Sequence, residues 1–119
     1  MNIKLRYISW VGSSDDDLKK LPKAVQREMG FSLYQVQEGK MPSNAKPLKG
    51  LGSGILEIVS DYNKNTYRAV YAVKLGDDIY VLHVFQKKSK HGIETPKQDI
   101  ALIKNRLIEA KKDAKKRGE

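Results

Sequence analysis

The sequence predicts a small α+β domain, in which a small antiparallel sheet has N-terminal helices and a C-terminal helix packed on one face. Three observations lead to this prediction. A helical apolar stripe occupies the first third of the chain, strand-like segments separated by turn sequences follow, and an amphipathic helical pattern follows residue 95. With 119 residues, the chain can form one modest core. We therefore expect a single domain over residues 1–119.

The N-terminal third predicts one strand and two helices. Apolar and polar residues alternate from Asn2 to Trp10, which is the pattern of a strand. Gly12 ends this strand, and Ser14 before three aspartates predicts a helix N-cap. An apolar stripe then continues to about residue 38. Because Pro22 removes an amide donor inside this stripe, two successive helices or one kinked helix are expected.

The middle of the chain predicts a long connection and an antiparallel meander. Gly39 to Gly54 holds four glycines and two prolines with little periodicity, which is typical of a long loop. The turn sequences DYNKN and Gly76-Asp77 favour hairpins between the three following segments. These three strand candidates are Ile55–Ser60, Thr66–Leu75 and Asp78–Gln86.

The C-terminal quarter predicts one helix. Thr95 is the expected N-cap, Pro96 the first helical residue, and Gln98 the partner of Thr95 in a capping box. The first half of this helix is expected to dock on the sheet through an apolar face. Residues 111–119 are expected to fray into solvent as a basic tail.

Charge and composition limit the function classes. Lys and Arg number 23 against 14 Asp and Glu, and the resulting formal charge is +9. Residues 87–119 hold 11 basic and 5 acidic residues, or +6 of this excess. A chain this basic favours nucleic acid or another polyanion as its partner, with an acidic membrane surface as the alternative.

Other composition features argue against several classes of site and location. There is no cysteine and there are two histidines, which argues against thiolate and structural zinc sites. No apolar run approaches the roughly 20 residues that span a bilayer, and the N-terminus does not resemble a signal peptide. We therefore expect a soluble, cytoplasmic protein without a membrane partner, a metal or a cofactor.

Two charged residues stand within strand-like segments. Arg68 lies in TYRAVYAV and Glu57 in ILEIV, where a charge is costly unless it is paired. One interpretation is a cross-strand ion pair on a solvated sheet face. The other makes Arg68 a clamp for a phosphate oxygen and Glu57 its orienting partner or a general base. The two interpretations are compatible with each other.

A cationic rim is predicted where the last strand ends. Strand YVLHVFQKKSK ends in three lysines next to a helix N-terminus, which would favour an anion. The alternatives are a solvated charge run for the lysines, a core position for His83, and flexible tethering for Lys46 and Lys49 in the long loop. The candidate residues for holding a phosphate backbone are His83, Gln86, Lys87, Lys88, Lys90, Lys46 and Lys49.

Strand period predicts which side chains share a face of the sheet. On the strand candidate Thr66–Leu75, Arg68, Val70 and Ala72 should share one side, opposite Tyr67, Ala69, Tyr71 and Val73. On the last strand, Ile79, Val81, His83 and Phe85 should share one side. The pattern leaves open which side meets the helices, because both are largely apolar.

The sequence has no metal triad, nucleophile elbow or phosphate loop. An enzyme of this composition would therefore act by acid-base chemistry and charge stabilisation. Cleavage of RNA fits this requirement, since the 2′-hydroxyl of the substrate is the nucleophile.

The segments PLKGLGSGILEI and TYRAVYAVKLGDDIYVLHVFQKKSKHGIETP, followed by an amphipathic helix, resemble the RelE/HigB toxin superfamily, in particular its phage-derived RelE-like branch. The resemblance covers nearly the whole chain. It implies helices packed on a small antiparallel sheet, and a toxin of a type II toxin-antitoxin pair that cuts messenger RNA in the ribosomal A site. The implied partners are the ribosome, messenger RNA and an antitoxin with a helix-turn-helix domain, and the implied location is the bacterial cytoplasm.

The resemblance also implies roles for particular residues. Glu57 matches the acidic strand position of the family and Arg68 its strand arginine. Phe85, Lys87 and Lys88 match its aromatic-lysine strand end, and Lys90 lies in the same motif. This sequence departs from the pattern near its end, where other members carry a catalytic Tyr or His and His91 is the nearest stand-in. Other proteins of this fold act on gyrase, which keeps a protein target as an alternative.

Overall fold

The computed structural model of the protein describes residues 4–88 and 95–118. It has an α+β architecture, as predicted. The elements in chain order are β1 (Ile8–Trp10), α1 (Ser14–Lys19), α2 (Lys23–Gln37), β2 (Ala45–Pro47), β3 (Ile55–Tyr62), β4 (Asn65–Ala72), β5 (Ile79–Lys87) and α3 (Lys97–Arg117).

The described strands form one sheet in the order β1-β5-β4-β3-β2. β3, β4 and β5 make the predicted antiparallel meander. β1 joins the edge of β5 in parallel, and it is shorter than the strand predicted from Asn2 to Trp10. The first residues of that prediction lie outside the described part. Residue Arg6 instead bonds through its backbone to Gln37 at the end of α2, at 3.1 Å.

The prediction that Gly39 to Gly54 forms one long loop is wrong in part, because the segment contains a short strand, β2. β2 pairs antiparallel with β3, and Lys46 lies opposite Glu57. Periodicity did not indicate it, because a strand of three residues is too short for an alternating pattern to develop. Pro47 is tolerated in β2 because this strand is at the edge of the sheet.

Local turn chemistry acts largely as predicted. In the DYNKN segment, Asn63 and Lys64 have φ values of 52° and 67° and form the two-residue turn between β3 and β4. Pro22 separates α1 from α2, so that two successive helices form. The predicted N-cap at Ser14 is wrong: α1 begins at Ser14 itself, and the Ser14 hydroxyl donates to the Val81 carbonyl instead.

Helices cover both faces of the sheet, which corrects the expectation of a single covered face. The α2 face is defined by Val25, Met29, Leu33 and Val36 packed on Ile58, Ala69, Tyr71, Ile79, Val81 and Val84. The α3 face is defined by Ile103, Leu107, Ala110 and Ala114 packed on Ile55, Val70, Ala72, Tyr80 and Leu82. Both faces must be covered because β4 and β5 carry apolar side chains on both sides.

A β-bulge changes the side-chain pattern of β5. Val70 pairs with His83 while Tyr71 pairs with Val81, so Leu82 is the extra residue. As a result, Leu82, His83 and Phe85 belong to the α3 face. The expectation that Ile79 and Val81 share the side of His83 is therefore wrong, because both lie on the α2 face.

The C-terminal helix is longer and more firmly attached than predicted. α3 continues to Arg117, whereas residues 111–119 were expected to fray. Tertiary contacts explain the difference. The Tyr80 hydroxyl donates to Asp113 at 2.7 Å, and the Arg117 guanidinium donates to Asp78 at 2.6 Å. Ala114 is buried against the sheet.

Candidate RNA-processing site on the α3 face

The polar centre of the α3 face is an ion pair between β3 and β4. The Nη1 atom of Arg68 donates to Oε1 of Glu57 at 2.6 Å. The two residues are diagonal neighbours, since Arg68 lies opposite Val59 and Glu57 opposite Val70. Only 4% of Arg68 and 1% of Glu57 are exposed. The interpretation of a pair on a solvated face is thus wrong about location, although the pair itself forms.

Two further residues extend this ion pair. The Lys46 ammonium lies 3.7 Å from Oε1 of Glu57, and 48% of its side chain is exposed. The Thr95 hydroxyl accepts from Arg68 at 3.4 Å and donates to Oε2 of Glu57 at 3.5 Å. Thr95 is therefore engaged with the ion pair, and the predicted N-cap is wrong, since Pro96 holds that position.

Burial of the Glu57 and Arg68 charges is unfavourable for the stability of the fold. Removing a carboxylate and a guanidinium from water costs several kcal/mol per ion, and their attraction often only offsets this cost. Glu57 contacts Arg68, Lys46 and Thr95, which together satisfy its oxygens. The carboxylate therefore fixes the positions of two cations, of which Lys46 is the one that faces solvent.

A second polar network surrounds His83, beside the first on the same face. Nε2 of His83 lies 2.8 Å from Oδ1 of Asp99, and its Nδ1 lies 3.5 Å from Nη1 of Arg106. The Asp99 carboxylate can accept from Nε2, and the Arg106 guanidinium can donate to Nδ1 in the tautomer that leaves that nitrogen unprotonated. The imidazole stacks on Phe85 with 4.4 Å between ring centroids and 12° between planes.

Arg106 connects the residues around His83 to β5 and to the segment before α1. Its guanidinium donates to the Leu82 carbonyl and to the Ser13 hydroxyl, both at 3.0 Å. It also lies against Gly12, where an added Cβ would be 2.7 Å from Nε of Arg106. Gly12 has a φ of 58°, which favours glycine. The position therefore requires glycine for its backbone conformation as well as for the space that Arg106 occupies.

A pocket of about 430 Å³ opens beside His83 and Phe85, between α1, β5 and the start of α3. Its walls combine apolar, amide and charged side chains, as in many small-molecule and nucleotide sites. Gln86 and Lys88, both predicted site residues, belong to its lining, together with Asp17, Lys20, Gln98 and Asp99. Gln86 also donates to Asn65 at 3.2 Å.

The remaining predicted site residues are distributed differently. Lys87 is half-buried at the end of β5, opposite Thr66. Lys49 lies apart from the others, in a separate pocket of about 560 Å³ that also includes Met41 and Lys74. Lys90 and His91 lie outside the described residues. The structure thus brings together Lys46, Glu57, Arg68, His83 and Phe85 on one face of the sheet.

Two members of the site, Asp99 and Arg106, were not predicted from sequence. They are seven residues apart on α3, so they lie on nearly the same side of the helix. Charges at this spacing beside the apolar stripe of Ile103, Leu107 and Ala110 are the signal that could have indicated them. Their partners could not be inferred, because the bulge in β5 determines where His83 points.

The described residues contain neither a metal-ligand cluster nor a membrane-spanning helix. No group of three or more His, Asp or Glu side chains there is arranged to hold a metal ion. None of the described helices combines the length and apolar character needed to cross a membrane.

Comparison with known proteins adds an independent line of evidence. A family model described as "Phage derived protein Gp49-like" matches residues 16–108. No curated protein sequence matches the chain significantly. Among solved structures, an arginine-to-alanine double mutant of the E. coli toxin RelE in the free state matches with a TM-score of 0.56 and 19% sequence identity. The match covers 72% of this chain and 87% of that chain.

The two matches carry different weight. At 19% identity, the likeness to RelE shows a shared fold and agrees with the architecture described above. The family model covers well over half of the chain. The resemblance predicted from the strand motifs is therefore confirmed, and the chain belongs to the phage-derived Gp49-like family of the RelE-like toxin superfamily.

Proposed function

We propose that this protein is the toxin of a type II toxin-antitoxin pair and acts as a ribosome-dependent, metal-independent messenger RNA endoribonuclease. The observation that carries the proposal is the buried Glu57–Arg68 pair beside the solvent-facing Lys46. Buried ion pairs contribute little net stability, so a role in function explains this pair better than a role in folding. Family membership and the RelE-like fold support the same conclusion.

The reaction requires little from the protein. The 2′-hydroxyl of the ribose attacks the adjacent phosphorus and loses its proton to a base, and the bond to the 5′-oxygen breaks as that oxygen gains a proton. Negative charge accumulates on the phosphate oxygens between these events. Cations fixed before the substrate arrives stabilise this charge without reorganising, which is the largest contribution that such a site makes.

We assign roles to the site residues on this basis. Arg68, Lys87 and Lys88 neutralise the developing charge, and Glu57 orients Arg68 or serves as the base. The residues assigned to holding the RNA chain are Lys46, Lys49, His83, Phe85, Gln86, Lys90 and His91. The high positive charge of the chain favours this substrate class, because RNA carries one phosphate per nucleotide.

The partners follow from the same proposal. The protein would act in the cytoplasm on messenger RNA in the ribosome. A cell that carries such a toxin needs an antitoxin, for which we propose a small protein with a helix-turn-helix domain. A gene for a protein of this kind beside the gene for this chain would support this part of the proposal.

Induction of the protein in bacteria, followed by mapping of messenger 5′ ends, tests the proposal in cells. We expect growth arrest together with new 5′ ends at a constant position within codons. Normal growth with intact messages would contradict the proposal. Arrest of replication with intact messages would instead favour a protein target such as gyrase.

A reconstituted translation complex tests the assigned residues. With purified ribosomes in magnesium buffer and a short message, wild-type protein that was first treated with a metal chelator and then freed of it should cleave, and the Arg68→Ala variant should not. The Lys40→Gln variant is the control for loss of one positive charge, because Lys40 is exposed and pairs with Glu38 just after α2. Protein that binds RNA with a steep salt dependence but does not cleave it would indicate a non-catalytic binding domain.

A further inference from the structure

The outer face of α3 carries six exposed lysines, and we propose that this face binds the phosphate backbone of double-helical RNA. We call it the lysine face. The inference goes beyond the proposed cleavage site and does not require that the protein cleaves RNA. Its members are Lys97, Lys104, Lys111, Lys112, Lys115 and Lys116.

The lysines follow the axis of the helix. Lys97, Lys104, Lys111 and Lys115 are spaced by seven, seven and four residues, so they lie along one line of the helix surface. At about 1.5 Å per residue, this line is about 27 Å long. Lys112 and Lys116 widen it at its C-terminal end. Such an array matches a rigid rod of phosphates better than a single small anion.

The charges of α3 are segregated between its two sides. The carboxylates of Asp99 and Asp113 are bonded on the inner side, to His83 and Tyr80 respectively. Arg106 is also turned inward, to the Leu82 carbonyl. Across residues 4–88 and 95–118, no salt bridge involves any of the six lysines. Glu109 is the one exposed carboxylate of α3, so against six lysines the lysine face keeps a large excess of positive charge.

The helix holds this charge in place over its whole length. Ala110 and Ala114 are buried on the sheet, and Arg117 bonds to Asp78 at 2.6 Å and to Asp113 at 3.0 Å. A frayed tail would have to be ordered on binding, at an entropic cost. Because the last turns of α3 are already helical, only the lysine side chains are left to be ordered.

The lysine side chains favour contacts with the phosphate backbone of RNA over contacts with its bases. Lysine ammonium groups are flexible point charges that suit phosphate contacts, and they lack the planar fork that reads a base edge. The deep, narrow major groove of an RNA duplex is closed to side chains, so proteins recognise such duplexes mainly by shape and backbone. We therefore expect binding that is independent of sequence and sensitive to salt.

The position of the lysine face connects it to the candidate site. Lys97 is the first residue of α3, and its neighbours Pro96 and Gln98 line the pocket beside His83. A duplex along the lysine face would therefore begin at that pocket and extend away from it. In a ribosome, ribosomal RNA would supply the duplex while the message occupies the site.

Binding of a labelled RNA duplex of about 16 base pairs, a length that a small RNA-binding domain spans, tests the proposal. Fluorescence anisotropy is measured over a series of salt concentrations for the full chain. The test variant is Lys104→Gln/Lys111→Gln/Lys115→Gln. The control is Lys19→Gln/Lys23→Gln/Lys40→Gln, which removes the same charge from α1 and α2 and the segment after them.

The expected result is a difference between these two variants. At about 0.9 per phosphate contact, the three substitutions on α3 should lower the slope of log affinity against log salt by about 2.7, and the control should change it little. Substitution of the same three lysines by arginine should retain binding. Exposed Lys→Gln changes preserve helix propensity, so the melting temperatures of the variants should match that of the wild type.

Three outcomes would overturn the proposal. They are an equal loss of affinity in both glutamine variants, no binding of the duplex at low salt, and lysine-dependent binding to phosphatidylserine vesicles in place of the duplex. Arg68→Ala protein that keeps a cooperative melting transition separates this inference from the proposed function, since it should retain duplex binding while losing cleavage. Absence of cleavage by the wild type would leave the duplex measurement unaffected.

Discussion

The two faces of the sheet are built from the same strands but differ in chemistry. On the α2 face, apolar side chains from Val25 to Val36 pack on apolar side chains of β3, β4 and β5. On the α3 face, an apolar half under α3 continues into a polar half that contains Glu57, Arg68 and His83. One face therefore mainly stabilises the domain, while the other also holds the buried charged groups of the candidate site.

Strand geometry makes this division possible. Successive residues of a strand point to opposite faces, so Arg68 can lie in a polar cluster while Ala69 next to it lies in an apolar core. The start of α3 limits the apolar half of its face, because its first buried residue is Ile103. Residues of the sheet beyond that point meet Thr95 and Asp99 instead.

The largest expected effect comes from breaking the ion pair on the α3 face. Arg68→Met leaves the Glu57 carboxylate buried without its closest cation, which should lower the free energy of unfolding by about 3–5 kcal/mol. The double variant Glu57→Gln/Arg68→Met should lose less, because no buried charge remains. Chemical denaturation of the three proteins measures both values. A loss below about 1 kcal/mol for Arg68→Met would show that the pair is not a buried unit.

A similar loss of stability on the α2 face should leave the chemistry intact. Met29 is fully buried in that core, and Met29→Ala should cost about 2–5 kcal/mol through the cavity it creates. Cleavage per folded molecule should remain at the wild-type level, below the melting temperature of the variant. If folded Met29→Ala protein lost cleavage, the functional division between the two faces would be refuted.

Two buried tyrosines, one on each face, should respond differently to a change at Asp113. Burial raises the pKa of both Tyr71 and Tyr80 to about 12, and at Tyr80 the hydrogen bond to Asp113 contributes as well. Because the folded pKa values exceed the unfolded value of about 10, the related stability is present below pH 10 and is lost between about pH 10 and pH 12.

The Asp113→Asn variant separates these two tyrosines. It should lower the pKa of Tyr80 on the α3 face and leave that of Tyr71 on the α2 face unchanged. Ultraviolet titration of tyrosinate in this variant and in Asp113→Asn/Tyr80→Phe assigns the change to one residue. A shift that persists after Tyr80 is replaced by Phe would contradict the assignment.

The smallest expected effect concerns the bond between His83 and Asp99. Asp99→Ala removes one partly buried hydrogen bond and should cost about 1 kcal/mol, since the stack on Phe85 remains. Glu109→Ala, an exposed change on the same helix, is the control and should stay within about 0.5 kcal/mol of the wild type. Equal stability of the two variants would indicate that the hydrogen bond from His83 to Asp99 does not stabilise the fold.

The local elements and the two charged residues at the centre of the candidate site could be predicted from the amino-acid sequence alone. The α+β class, the two helices around Pro22, the hairpin at Asn63 and the meander all follow from spacing and turn chemistry, which act within a few residues. Arg68 and Glu57 could be singled out for a related reason, because a charge among strand residues needs a partner wherever the strand lies.

How these parts meet depends on contacts made in the three-dimensional fold. A bulge at Leu82 in β5 turns His83 to the face of Arg68, and contacts with Tyr80 and Asp78 keep the end of α3 helical. Thr95 contacts Glu57, a residue 38 positions away, instead of capping its own helix. Each outcome depends on atoms that are distant in sequence, and local periodicity carries no information about such contacts.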